Sequence, residues 1–393
     1  MLNYDDTIEK LKIIGVTGTN GKTTTAKLLC HILDEEGVRV GFINSEEISI
    51  ANRIISRGET KDLYQHLHNM AQKGIEIIVV EINDQSFSIE SLEKMRFDAI
   101  VHTNIEISHI REEEAKKYIA FQQRIFSRLT ENGIGIINID DKNNIKLLEN
   151  IGNRLMITYG LCTRATITAS SIDIAPTIKF NCCIQRGITN CNEIEIDPME
   201  FPVYIHLLGR HNVYNALAAV TASLMYGVLP ENVGKYIKSF EGLKRRMYLV
   251  YDQEYKIIDD MSHNPPSYEA ALETIQGVDY ERLYIVNAIM GNRGVTVNRY
   301  NSLALCNWIK AMKYAKIVIT SSQDSVKEID QVLEKEKEIV HQTLKENNLT
   351  YEYKDKLREA IQLTLSEVGK NDLVLLLGQR GMDEGENIIK QLL

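Results

Sequence analysis

IIGVTGTNGKTTT, running from Ile13 to Thr25, decides the fold: a β-branched run ends at Thr17, a glycine-rich turn follows, and a helix opens at Lys22. Strand, glycine turn and helix in that order make a phosphate-binding loop. Gly18 and Gly21 let backbone N–H groups converge, and the helix N-terminus adds a dipole that favours anions. On this reading Gly18, Thr19, Asn20, Gly21, Lys22, Thr23 and Thr24 hold a nucleoside triphosphate. The Lys22 ammonium meets the terminal phosphates and the Thr23 hydroxyl ligates Mg²⁺, so ATP and Mg²⁺ are the expected cofactors. One position departs from the usual loop pattern, with Val16 where a glycine is common.

Working outward, the same texture repeats. VGFIN ending at Asn44, IEIIVVEI from Ile75, FDAIVHTN from Phe97, GIGIINID from Gly133 and LMITYG from Leu155 are nearly continuous apolar runs separated by helical stretches. Such runs suit a parallel sheet covered on both faces. Between Ala165 and Leu208 the residues alternate, as in ATITASSIDI, which predicts a small antiparallel addition. At EGLKRRM apolar periodicity pauses, and YKIIDDM, RLYIVNAI, KIVITSS and DLVLLLG then begin a second series. The expected fold class is therefore α/β. Residues 1–241 form a P-loop central domain with a mainly parallel sheet and the antiparallel addition, and residues 242–393 a Rossmann-like C-terminal α/β domain.

A chain of 393 residues, 44% hydrophobic and 25% charged, has the composition of a globular protein of two domains. Its net charge of −9 argues against broad nucleic-acid or anionic-membrane binding and leaves small molecules as the expected partners. No run of eighteen apolar residues occurs, and the start MLNYDDTIEK lacks the basic region and apolar stretch of a secretory signal, so a cytoplasmic location is expected. The six cysteines read as reduced thiols; a zinc site at Cys182, Cys183 and Cys191 stays open, although the spacing is not C-x-x-C twice over.

Further chemistry-bearing residues follow the loop. Glu81 ends the strand IIVVEI, at the edge where ligands collect in open α/β sheets. VHTNIEISHI carries Asn104 and His109, and LLGRHNVYNALAA carries Asn212 and Asn215. IINIDD supplies Asn138, Asp140 and Asp141, read as caps for a following helix. KRRMYLV contains Arg246, DDMSHNPPSYEAAL contains Asp260, His263 and Asn264, and MGNRGVTVNRYN contains Arg293.

Taken with TGTNGKTT, these segments resemble the Mur ligase family, which joins an amine to a carboxylate using ATP. The resemblance covers most of the chain. It implies that Glu81 and His109 join Thr23 as magnesium ligands and that Asn104 and Asn212 serve the nucleotide site. It also implies that Arg246 reaches ATP from the C-terminal domain, that Asp260 meets the ribose, and that the turn at His263 and Asn264 faces anionic groups. Lys22, Glu81, His109, His263 and Arg293 are the implied catalytic set. In the implied reaction ATP phosphorylates the carboxylate and an amine, expected to be an amino acid, displaces phosphate from the acyl phosphate.

The departures are specific. Ser108 stands where the family has Asp, and Gln122 where many members carry a lysine that takes up CO₂ to become a carbamate near a second magnesium; a neutral amide cannot do so. Glu112 to Glu114 read as a solvated helix start rather than a metal site. Asn292 replaces a common Asp, SQDS at 322–325 replaces D-N-P-R, and LLLGQRGMDEG replaces G-K-G-H-E, so the amino-acid pocket is expected to be rebuilt. The loop begins near residue 15, which leads to the expectation of a two-domain core without the UDP-binding domain. Its acid is then expected to differ from a standard UDP-muramoyl peptide, unless a partner subunit binds that part. A homo-oligomer or such a partner stays open. The rival expectation is a ligase-derived, ATP-binding subunit with little catalysis of its own.

Overall fold

The structure is a computed structural model that describes residues 11–51, 53–57, 63–83, 95–107, 110–144, 146–147, 152, 154–174 and 177–393. It divides into two compact units, one built on residues up to 241 and the other on residues 242–393 with 207–210.

In the first unit, strand β1 (Lys12–Thr17) is buried at every position after Lys12, and helix α1 (Lys22–Glu35) follows it. The chain continues through β2 (Val40–Ile43), β3 (Glu47–Ile50), β4 (Arg53–Arg57), α2 (Leu63–Gln72), β5 (Ile77–Glu81) and β6 (Phe97–His102). Helix α3 (Glu112–Phe126) leads to β7 (Leu129–Asn138) and β8 (Leu155–Tyr159). Next come β9 (Ile167–Asp173), β10 (Ile178–Ile184), β11 (Ile188–Thr189), β12 (Glu195–Ile196) and β13 (Met199–Ile205), then helices α4 (His211–Met225) and α5 (Pro230–Lys238).

Eleven of these strands form one sheet in the order β13-β10-β9-β8-β7-β6-β1-β5-β2-β3-β4, while β11 and β12 pair separately. Strands β2, β5, β1, β6, β7 and β8 are parallel. The chain leaves β1 for β2 on one side and later crosses to β6 on the other. The loop after β1 therefore sits at a topological switch point, where strand-end loops diverge and leave room for a ligand. Helix α4 is buried over nearly its whole length, which explains why NALAAVTASLM lacks a polar face. The alternating region forms the antiparallel flank β9-β10-β13 of the same sheet. A second antiparallel flank, β2-β3-β4, was not expected from sequence.

The second unit holds a six-stranded sheet, β14 (Tyr248–Asp252), β15 (Lys256–Asp260), β16 (Leu283–Ala288), β17 (Tyr314–Thr320), β18 (Glu352–Lys354) and β19 (Leu373–Leu377). Their order is β14-β15-β19-β16-β17-β18, parallel except for the edge strand β14. Helices α6 (Pro265–Gln276), α7 (Val295–Ile309), α8 (Glu334–Glu346), α9 (Leu357–Leu365) and α10 (Gly385–Leu392) complete it. LVLLL of β19 lies wholly inside, as a strand covered on both faces requires. No described helix is long and apolar enough to cross a membrane.

Candidate active site

The ends of β1, β5 and β6 carry the first group of expected residues to one edge. Gly18 takes φ 128° and Gly21 φ 81°. Space requires glycine as well as conformation: a Cβ on Gly18 would lie 2.2 Å from Thr103 Oγ1, and one on Gly21 2.2 Å from Asn215 Oδ1. Gly21 caps α1 without a side-chain hydrogen bond to the helix, so the first-turn N–H groups keep their anion-binding character. Thr24 is buried, at 5% exposure.

The loop is braced from β6. The Asn104 side chain donates to Asn20 O and accepts from Asn20 N–H, both at 3.0 Å, which satisfies both backbone groups of one loop residue. Thr19 Oγ1 accepts from Glu106 N–H at 3.0 Å and donates to the Tyr118 hydroxyl at 3.1 Å. Lys22 Nζ donates to Gly18 O and Thr19 O, each at 2.9 Å, and so is folded over the loop it serves.

Thr23 Oγ1 donates to Glu81 Oε1 at 3.0 Å, and Asn44 Nδ2 approaches Glu81 Oε2 at 3.4 Å. Glu81 is 7% exposed, and its carboxylate lies beside a hydroxyl at the mouth of the phosphate loop. Hard oxygen donors, one of them anionic, suit Mg²⁺, so this pair fits the expected metal. His109 and Ser108 lie outside the described residues. Among the described residues no group of three His, Cys, Asp or Glu side chains is placed to hold a metal, the cysteine group included.

Several polar residues brace the site from within. Asn215 Nδ2 donates to Asn212 Oδ1 at 2.7 Å, and Thr25 Oγ1 reaches Asn215 Oδ1 at 3.5 Å, so these buried amides support the loop from beneath. Asp140 does not cap a following helix: it accepts from Leu161 N–H, Cys162 N–H and the Tyr214 hydroxyl. Burial pushes its carboxyl up, but these donors together hold it below the usual range. Asp141 accepts from Asn143 N–H and Ile105 N–H, while burial raises its carboxyl.

Two buried residues were missed. Thr17 Oγ1 donates to Gln122 Oε1 at 2.9 Å, and both side chains are buried. His102, paired with Thr17 across β1 and β6, is fully buried with neither ring nitrogen hydrogen-bonded. Burial, and then the Lys22 charge, push its imidazole down to about 3.

In the second unit, Asp260 Oδ2 accepts from Met247 N–H at 3.0 Å and Oδ1 from the Ser262 hydroxyl at 2.6 Å. It thereby ties the turn bearing Arg246 to the end of β15. Asn264 is the N-cap of α6 and forms a capping box with Ser267, so its oxygen serves the helix. His263 Nδ1 lies 3.2 Å from Met261 O, a pure acceptor, which puts the ring proton on Nδ1; Nε2 then accepts from Asn264 Nδ2. Arg293 points its guanidinium toward Asp330 at 3.6 Å.

Two anchors in this unit also escaped the sequence reading. Arg245, at φ 64°, sends its guanidinium to Asp259, Gly378 O, Gln379 O and Asp383. Burial raises the Asp259 carboxyl to about 6 despite Arg245 pulling it down. Glu336, fully buried, accepts from four backbone N–H groups, those of Asn292, Arg293, Gly294 and Leu333.

The Mur ligase middle domain matches residues 16–223, and the Mur ligase glutamate ligase domain matches residues 245–380. A UDP-N-acetylmuramoyl-L-alanyl-D-glutamate--2,6-diaminopimelate ligase from Caldanaerobacter subterraneus subsp. tengcongensis is 25% identical over 96% of this chain and 74% of its own length. One from Listeria monocytogenes is 28% identical over 74% of this chain and 59% of its own. Among solved structures, MurF from Acinetobacter baumannii superposes with a TM-score of 0.74 at 19% identity, covering 98% of this chain and 78% of that one. Mycobacterium tuberculosis folylpolyglutamate synthase, complexed with ADP and AMPPCP, gives 0.74 at 15%, covering 98% and 92%. These two likenesses show a shared fold. With both family domains matched along nearly its whole length, the chain belongs to the Mur ligase family of ATP-dependent, amide-forming ligases.

Proposed function

We propose that this enzyme activates a carboxylate as an acyl phosphate and joins it to an amino acid other than diaminopimelate. The observation that carries the first half is the grouping of the glycine loop, Lys22, Thr23 and Glu81 at the switch point of the sheet. In this reading the Gly18–Thr24 backbone cradles the triphosphate, and Lys22 exchanges its loop carbonyls for the terminal phosphates. Thr23 and Glu81 hold Mg²⁺, which supplies positive charge against the phosphate oxygens. Residues 1–241 form the ATP-binding domain. In the C-terminal domain, 242–393, Arg246 and Asp260 serve the nucleotide, while His263 and Arg293 serve the transferred group and the amine.

The second half rests on the strand-end loops. Asp324 in SQDS directs its carboxylate to Leu357 and Arg358 N–H, capping α9, so it is committed to the fold. Ser322, which stands where D-N-P-R has its Asp, takes φ 53° with its hydroxyl buried, so no carboxylate is offered at that position. These departures support an amine other than the diaminopimelate for which the relatives are named.

The reading is tested by incubating the enzyme with MgATP and a panel of carboxylic acids and amino acids. The expected result is ADP release that requires both partners, together with a product whose mass is acid plus amine minus water. Lys22→Ala is expected to abolish both signals. Nucleotide binding without any amide product across the panel supports the rival reading of a ligase-derived binding subunit.

A further inference from the structure

Helix α3 delivers Gln122 to the underside of the phosphate loop, where it is 1% exposed. Its Oε1 accepts the Thr17 hydroxyl at 2.9 Å, and Thr17 is the last strand residue before the loop. Thr17 pairs with His102 on the adjacent strand, and the His102 ring lies 6.0 Å from that of Phe126, one helical turn beyond Gln122. Gln122 thus has its carbonyl oxygen engaged by a hydroxyl, on a helix whose Phe126 ring meets an imidazole that makes no hydrogen bond.

The resemblance places at this position a carbamate, an anionic oxygen ligand for a second magnesium. Carbamate formation needs an amine lone pair to attack CO₂, and the nitrogen lone pair of Gln122 is delocalised into its amide. Mg²⁺ requires near-octahedral oxygen ligation and keeps several waters, so it needs both anionic donors and room. Gln122 offers one neutral oxygen, already engaged, in a buried setting. The described residues here do not fit a second metal, whereas Thr23 and Glu81 fit the first.

We infer that this enzyme works with a single Mg²⁺, held at Thr23 and Glu81, and that Gln122 is a positioning residue bracing the strand that enters the phosphate loop through Thr17. The inference rests on the nucleotide reading above. A hydroxyl donating to a buried amide oxygen fixes the exit angle of β1 and hence the placement of Gly18. Removing only Gln122 leaves the buried Thr17 hydroxyl without its acceptor, whereas replacing both partners by apolar groups removes the mismatch.

The test counts metals. The full chain is titrated with Mn²⁺ in the presence of AMPPCP, with free Mn²⁺ followed by electron paramagnetic resonance, in CO₂-free buffer and again with bicarbonate. One Mn²⁺ per chain in both buffers is expected. Gln122→Leu is expected to weaken AMPPCP binding by about fivefold to thirtyfold with the count still one, and Thr17→Val combined with Gln122→Leu to recover most of the loss. Two Mn²⁺ per chain, or a count that falls when Gln122 or His102 is replaced by leucine, overturns the single-metal inference. Unchanged AMPPCP affinity in Gln122→Leu overturns the bracing role. Failure of the wild-type chain to bind AMPPCP overturns the nucleotide reading and this inference with it, whereas two metals with intact binding overturn this inference alone.

Discussion

Glu336→Gln is a demanding perturbation of the second unit. Oε1 accepts from Arg293 N–H at 2.8 Å and Gly294 N–H at 2.5 Å, and Oε2 from Asn292 and Leu333 N–H, each at 2.9 Å. Glutamine keeps one oxygen and puts an NH₂ group against the other two donors. Two charge-assisted hydrogen bonds are lost, at about 1.5–3 kcal/mol each, for a total of about 3–6 kcal/mol. The side chain is fully buried, so solvent does not discount this figure. Trp308, the single tryptophan, packs against the core of the same unit and reports on its unfolding. With a urea slope of roughly 1–3 kcal/mol per molar, the midpoint is expected to fall by at least about 1 M. A shift below about 0.3 M would refute the reasoning that this carboxylate pins the loop bearing Arg293.

Three further outcomes follow from the first unit. Gly21→Ala forces a Cβ toward Asn215 Oδ1 at φ 81°, combining left-handed strain of about 1–2 kcal/mol with overpacking of about 1–3 kcal/mol; at least a tenfold loss of AMPPCP affinity by calorimetry is expected. Lys22→Ala is expected to abolish ADP release in the amide assay while leaving the circular dichroism spectrum unchanged. For His102, whose folded imidazole sits at about 3 against an ordinary 6.5, the unfolded chain takes up a proton as pH falls below 6.5 and the folded chain does not. Stability from the neutral ring is therefore full above 6.5 and lost as pH falls toward 3. His102→Leu should gain on wild type by about 1.4 kcal/mol per pH unit below 6.5, measured by urea denaturation at pH 7 and pH 5; an equal difference at both would contradict this.

The phosphate loop was legible because its requirements are local. Gly18 and Gly21 are dictated by backbone shape and close approach, and Lys22 and Thr23 follow directly. The parallel strands were legible for a similar reason, since burial on both faces leaves continuous apolar runs such as IIVVE and LVLLL. The edge strands β4, β14 and β18 were not, because exposed positions break the apolar pattern in each. The polar anchors were hidden because each joins distant parts of the chain. Thr17 and Gln122 are 105 residues apart, and Arg245 and Gly378 are 133 apart. Asn264 lay between these cases: the His-Asn-Pro turn announced a helix start, and the structure shows the Asn264 oxygen serving as its cap.

Formation of an acyl phosphate is tested most directly by isotope transfer. Once the amide assay identifies a productive acid, that acid is labelled with ¹⁸O in its carboxylate and turned over with ATP and the amine. The carboxylate oxygen that attacks the γ-phosphorus stays with the phosphate when the amine displaces it. The inorganic phosphate released is expected to carry one ¹⁸O atom, with ADP as the other product. Unlabelled phosphate, or AMP in place of ADP, would contradict the mechanism.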